Sequence, residues 1–409
     1  GAISFSQKQS AKEAGVDRCW YGVNGATGLL QASLLSIAKP GEFILMPRNI
    51  HKSIINACVL GDIRPVLFDL PYLEDRGHFL PPDELWFAKV LEKVHALGID
   101  LTAIVLVNPT YHGYSADIEN QVKAAHKYGL PVLVDEAHGT HLASITGLDL
   151  PQSGLHVGAD LVVHSLHKSS LGMVQTAVLW GQGSLLDLNI IDKCLGWIQT
   201  SSPSSLLLAS CESSLREWKS PNGLRKLRKS VMRAKDIFSR LFSMGVPVLE
   251  TQDPLKLILH TSCKGISGFE ADSWFLKNHV VAELPEPGTL TFCIGFSTQP
   301  GLKNSLNNNW SALLKSKAAM DVYPPFLSPK YSLISVPEIS CSFAVREKSH
   351  DVFLEDSVGL ISADMICPYP PGIPLVIPGE AINKSLVNWM LLQKKLWPNQ
   401  IPSKIKVLS

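Results

Sequence analysis

Two residues with the right chemistry stand at the ends of apolar runs. Lys168 closes the segment Val162-Val163-His164-Ser165-Leu166-His167-Lys168, and Asp135 follows Leu133-Val134. An amine just past one buried strand and a carboxylate at the end of another suit pyridoxal 5′-phosphate (PLP). Burial disfavours the ammonium form, so such a lysine attacks an aldehyde as the free amine. A carboxylate beside the pyridine nitrogen keeps that nitrogen protonated, and the protonated ring is the stronger electron sink. Each residue alone also has a plainer reading, an exposed lysine and an aspartate capping a turn. The pairing favours the cofactor.

Further segments add to the pair. Asn24-Gly25-Ala26-Thr27-Gly28 precedes an apolar helix-like run. Its glycines admit close approach of an anion, the helix start supplies free N–H groups, and Thr27 adds a hydroxyl. His51, in Arg48-Asn49-Ile50-His51-Lys52-Ser53, is placed to stack on a flat ring or to cap a helix. Ser165 can donate to a phosphate, and His167 adjoins the lysine. Asp135, His138 and His141 are spaced three apart, which raises a metal reading. That spacing departs from the zinc-protease pattern, and no metal is expected. Asp135-Glu136-Ala137-His138 also spells a helicase motif, but no phosphate-binding P-loop accompanies it.

These residues need elements to position them. Strands are expected over 42–46, 64–68, 102–107, 131–134, 160–163 and 176–179, with helices over 51–60, 84–97 and 118–128. Continuous apolar strands alternating with helices predict an α/β fold: a mostly parallel, seven-stranded-type sheet with helices on both faces. Ligands bind such sheets at the carboxyl ends of the strands. Asn108-Pro109-Thr110-Tyr111, Asp135 and Ser165 to Lys168 all fall there. Helices are expected over 206–215 and 224–242, the second with a basic, solvated face. After Gly245-Val246-Pro247 the pattern changes. A PLP-binding large domain over 1–246 and a smaller α+β C-terminal domain over 247–409 are expected. Residues 304–309 read as a polar loop. The proline-rich stretch from Pro368 to Pro374 suits neither helix nor central strand.

Composition narrows the function classes. The 409 residues are 45% hydrophobic and 18% charged, as in a well-buried globular protein. A net charge of +1 gives no basic field for nucleic acid. Eight scattered cysteines without a C-x-x-C pair favour a reducing compartment, hence the cytoplasm. No stretch is long and apolar enough for a membrane span, and no signal-peptide core is seen. The early glycine motif implies a chain trimmed at its start.

Taken together, the motifs resemble the bacterial ornithine/lysine/arginine decarboxylase family, with its aspartate-aminotransferase type of PLP fold. Ser165-Leu166-His167-Lys168 followed by Gln175-Thr176-Ala177 is similar to its PLP-attachment signature. The segments around Asn24, Arg48 and Asp135, Thr200-Ser201-Ser202-Pro203-Ser204, and Tyr369-Pro370-Pro371-Gly372-Ile373-Pro374 with Pro378-Gly379-Glu380 resemble its other motifs. By that resemblance Lys168 binds the cofactor covalently, Asp135 holds its ring nitrogen, His51 stacks on one ring face and Ala137 packs on the other. Gly25, Ala26, Thr27, Ser165, His167 and His138 belong to the same cofactor site. Ser201 and Ser202 reach the phosphate of a neighbouring subunit, which implies a homodimer with shared sites. Leu171 and Val174 replace small residues of the signature, and Ala26 stands where a serine is common. The activity implied is decarboxylation of lysine, arginine or ornithine, with Lys168, His167 and Asp135 catalytic. Another reaction on the same fold, or a non-catalytic PLP-binding homologue, is the alternative. Glu283 and Glu380 are candidates for holding the substrate's side-chain cation.

Overall fold

In the computed structural model, residues 1–144, 147–296, 301–317, 321–368, 372–397 and 400–409 are described. Tyr369, Pro370 and Pro371 of the proline-rich motif lie outside them.

The chain opens with helix α1 (Ala2–Ala14). The main sheet then uses β1 (Arg18–Gly22), β2 (Phe43–Pro47), β3 (Arg64–Phe68), β4 (Leu101–Val107), β5 (Val132–Asp135), β6 (Leu161–Ser165) and β7 (Ala177–Gly181). Their spatial order is β1-β7-β6-β5-β4-β2-β3. From β6 to β3 neighbouring strands run parallel; β7 and β1 are antiparallel additions. The expected α/β sheet is therefore present. An eighth strand, Ile334–Ser335, returns late in the chain to pair antiparallel with β3.

The central strands are rich in Val, Ile and Leu and buried on both faces, which is why they read as unbroken apolar runs. Helix α2 (Gly25–Ile37) buries Ala26, Leu29, Leu30, Ala32 and Leu34, so it too reads as apolar all round. It lies against β6, β7 and the helix Leu188–Ile198. Two cores sandwich the sheet. One centres on α2 and α3 (Lys52–Gly61), the other on Phe87, Val122, Cys211 and Trp218.

A second sheet is four-stranded and antiparallel, built from Val248–Leu249, Lys256–His260, Leu284–Pro285 and Thr289–Cys293. Three helices, Pro221–Ser243, Gly268–Lys277 and Leu302–Ser316, cover it and share its core. The expectation of a polar loop over 304–309 is corrected here. Those residues lie inside the helix Leu302–Ser316, which buries Leu306, Trp310 and Leu313. Packing of that apolar stripe overrides the weak helix propensity of the asparagines. A further small core gathers Leu354, Met390 and Val407 under a two-stranded ribbon, Ser349–Phe353 with Lys404–Leu408. No helix among the described residues is long and apolar enough to cross a membrane.

Candidate active site

The parallel register brings Val107, Asp135 and the end of β6 to one edge of the sheet. A cavity of about 980 Å³ opens there between the main sheet and the second sheet. Lys168, Asp135, His51, Ala137, His138, Gly25, Ala26, Thr27, Ser165 and His167 all line it. Ser201 and Ser202 do not. They are exposed, in the connection between helices Leu188–Ile198 and Ser205–Lys219.

Asp135 ends β5 and is buried; one carboxylate oxygen accepts the Ala137 N–H at 3.1 Å. Burial lifts its pKa above the usual aspartate value, while the Ala137 N–H and the Lys168 charge act against the rise. The next residue, Glu136, is fully buried and fixes the loop. It accepts hydrogen bonds from Asn108 at 3.3 Å, the Gly154 N–H at 3.2 Å and His164 Nε2 at 2.7 Å, and from the Ser153 hydroxyl. Trp180 Nε1 donates to His164 Nδ1 at 2.9 Å, so His164 has its proton on Nε2. Four successive strands thus brace the segment that carries Asp135 and His138.

After β6, a one-turn helix (Leu166–Ser169) lifts Lys168 into the cavity. Burial lowers the Lys168 pKa, partly offset by Asp135, with Lys256 lowering it further. Lys168 Nζ lies 2.9 Å from His138 Nε2, and Lys256 Nζ lies 3.4 Å from His138 Nδ1. His138 is neutral: burial, then the charges of Lys256 and Lys168, push its pKa well below the ordinary value. A neutral imidazole has one N–H, so it cannot accept from both lysines. Lys256 keeps its proton. Burial opposes its charge, but Cys293, Asp253 and Glu283 outweigh that and raise its pKa. His138 Nδ1 therefore accepts from Lys256, and its Nε2 faces the Lys168 amine.

His51 caps α3, with Nδ1 accepting the Ser53 N–H at 3.3 Å. Burial, followed by the charges of Lys168 and Lys52, pushes its pKa down to about 4, so the ring is neutral. His51 is thus a helix cap, and it also lines the cavity. His167 Nδ1 donates to the Thr176 carbonyl at 3.1 Å. Gly25 begins α2 at φ 69°, its N–H bonded to the Gln175 carbonyl at 2.8 Å. The Ser165 hydroxyl is buried and has no hydrogen-bond partner among the described residues. His141 turns from His138 and pairs with Asp253 at 3.0 Å, so the spaced Asp135, His138 and His141 do not converge.

Apart from Glu283, the opposite wall was not legible as a site in the sequence. It consists of Lys256, Glu283, Glu286 and Cys293 from the second sheet, facing Tyr111 and His112. The Tyr111 hydroxyl donates to Glu283 at 2.9 Å, and its ring lies 4.3 Å from that of His138. Glu286 accepts from His112 Nε2 at 2.5 Å and sits 3.3 Å from His78 Nε2; the two imidazoles stack at 3.6 Å. Of the two acids considered for the substrate cation, Glu283 lines the cavity. Glu380 is not among its lining residues; it forms a buried ion pair with Arg48, over the Tyr331 ring. Two signals existed in the sequence. His112 follows a strand end, and Lys256 interrupts the apolar run Leu255-Lys256-Leu257-Ile258-Leu259.

Comparison with known proteins gives concordant matches. The family described as Orn/Lys/Arg decarboxylase, major domain, matches residues 1–248, and its C-terminal domain matches residues 327–402. An arginine decarboxylase of Bacillus anthracis is 28% identical over 405 residues, covering 95% of this chain and 80% of the relative. The structure of lysine decarboxylase A from Pseudomonas aeruginosa superposes with a TM-score of 0.81 at 17% identity, over 100% of this chain and 72% of that one. A serine palmitoyltransferase from S. paucimobilis, with bound PLP-myriocin aldimine, shares the fold more loosely, with a TM-score of 0.61 at 17% identity and 77% of each chain covered.

Proposed function

Because this chain belongs to the Orn/Lys/Arg decarboxylase family and is a decarboxylase, we propose that it uses PLP to remove the α-carboxyl group of a basic amino acid: lysine, arginine or ornithine. One observation carries the reading: a lysine amine and a buried carboxylate stand at the ends of neighbouring strands in one cavity. The residues present fit the cofactor. Lys168 opens onto the cavity and burial lowers its pKa, and among the described residues Asp135 has one hydrogen-bond donor and the buried Ser165 hydroxyl has no partner. The first turn of α2 adds backbone donors without intrahelical partners, where a phosphate is favoured.

Lys168 would hold PLP, Asp135 its ring nitrogen, and Ser165, Gly25, Ala26 and Thr27 its phosphate. His51 and Ala137 would flank the ring. When bound, PLP supplies an aldehyde for the substrate amine and a ring that takes up the electron pair left as CO2 departs. Asp135 keeps a negative charge beside that ring, in a pocket closed by packed strands. His138, held by Lys256, would sit against the Lys168 nitrogen, where burial disfavours its protonation. Once released, Lys168 is free to carry a proton to the substrate's α-carbon, with His167 beside it. Glu283, oriented by Tyr111, offers the substrate's side-chain cation a carboxylate. Ser201 and Ser202 would complete the phosphate site of a second copy in a homodimer.

Reconstitution with PLP tests this directly. The purified chain should acquire the visible absorbance of a lysine-bound cofactor. It should also release CO2, with a matching amine found by mass spectrometry, from at least one of the three amino acids. No absorbance change and no amine from any of them would sink the proposal.

A further inference from the structure

Lys256 is a buried cation with no carboxylate in direct contact among the described residues. It opens the strand Lys256–His260 and is 8% exposed. Its three N–H groups find Cys293 Sγ at 3.0 Å and His138 Nδ1 at 3.4 Å. Neither neighbour is a carboxylate. Burial pushes the Cys293 thiol up, and His138 is neutral. Asp253, three residues earlier, gives one oxygen to His141 at 3.0 Å and lies more than 4 Å from the ammonium. Among the described residues no ion pair within 4 Å reaches Lys256. A buried ammonium without a counter-ion is expensive to keep, and a hydrophobic residue of similar shape would ordinarily serve better.

The position is nonetheless built. Gly113 stands at φ 90°, and a Cβ there would meet Lys256 Cγ at 2.8 Å and Cβ at 2.9 Å. The glycine makes room for the lysine stem. Its carbonyl accepts the Asp253 N–H at 2.9 Å, which ties the two segments together. The ammonium so placed lines the same cavity as Lys168, one imidazole away from it. A molecule whose α-amine takes up the position of the Lys168 amine brings its carboxylate along, one carbon removed.

We propose that Lys256 is the counter-ion of the substrate's α-carboxylate, and that it makes the cavity prefer an amino acid to the amine lacking that group. The inference rests on the functional reading above. It also gives the reaction a direction. The carboxylate that pairs with Lys256 departs as neutral CO2, its electron pair staying with the amine fragment and taking up a proton at the α-carbon, so the product amine has no anion for the Lys256 ammonium and is expelled. Because that pair exists in the bound substrate and fades as the carboxylate departs, Lys256 acts in capture and release more than in bond breaking.

The test compares two ligands in the PLP-loaded protein: an amino acid and its own decarboxylated amine, arginine with agmatine or lysine with cadaverine. Binding is read from the cofactor absorbance by rapid mixing, before turnover. In Lys256→Met, affinity for the amino acid should fall about tenfold to a hundredfold, the loss of one charge-assisted contact, while affinity for the amine does not fall. Lys256→Arg should keep much of the preference. Thermal melting of the cofactor-free protein adds an independent readout: Lys256→Met should melt no lower than the wild type, because no ion pair is lost and the cost of burying the ammonium is removed. Equal weakening of both ligands, or no change in either, would overturn the assignment. So would a lower melting temperature in Lys256→Met, which would mark a structural lysine. If the wild type responds to none of these ligands, the functional reading falls and this assignment falls with it.

Discussion

The two walls of the cavity are made in different ways. The main-sheet wall draws its groups from short local motifs, each just past the end of a parallel strand: Asp135 after Val134, Ser165 to Lys168 at the end of β6, Gly25 to Thr27 at the start of α2. The facing wall draws Lys256, Glu283, Glu286 and Cys293 from separate strands and turns of an antiparallel sheet. A parallel sheet gathers strand ends on one edge by construction, so its chemistry is concentrated and contiguous. An antiparallel sheet offers no such rule, and its contribution is scattered. On our reading the first wall handles the cofactor, common to many substrates, and the second handles what distinguishes them.

That division can be broken by substitution. Lys168→Ala should have the largest effect. CO2 release should drop by at least about three orders of magnitude and the lysine-bound absorbance should vanish, with the fold retained because the side chain opens onto the cavity. Asp135→Asn comes next, with kcat falling on the order of a hundredfold as the charge beside the ring is lost. Steady-state kinetics at saturating PLP would measure it. On the opposite wall, Glu283→Gln should leave the cofactor spectrum as it is and raise KM for the basic amino acid by roughly tenfold. If Glu283→Gln disturbs the spectrum instead, the two walls are not separable.

The remaining expected effect is on stability and leaves the division of the two walls untouched. His51 and His78 both have pKa values pushed down to about 4, chiefly by burial. In the unfolded chain each takes up its proton near the ordinary histidine value, about 6.5. The unfolded state therefore binds more protons between those limits. Stability should be full above pH 6.5 and fall as the pH drops toward 4, by up to about 1.4 kcal/mol per pH unit for each histidine. Denaturant titrations of the cofactor-free protein across that range would show it, and His78→Gln should flatten the slope.

How much the sequence disclosed follows the same division. Unbroken apolar runs with strand-end motifs revealed β2 to β7 and their ligand edge, because burial on both faces leaves nothing but hydrophobic residues in between. β1 was missed. Its Arg18-Cys19-Trp20-Tyr21-Gly22 is short and mixed, and it pairs with β7, which lies far away in the chain. The asparagine-rich helix Leu302–Ser316 was missed because its helical signal is three well-spaced apolar residues rather than local propensity. Lys256 went unnoticed for a related reason. A lone charge in a strand means nothing until the fold shows what lies opposite.

The late strand Ile334–Ser335 closes the flank of β3 after the chain has already built its second sheet. The backbone groups of Leu67 and Phe68 are thereby covered by a segment made hundreds of residues later. A nascent or shortened chain ending before this point would expose a bare ribbon edge, open to pairing with the same edge of another molecule. Completion of synthesis thus doubles as the step that makes the large sheet safe from self-association.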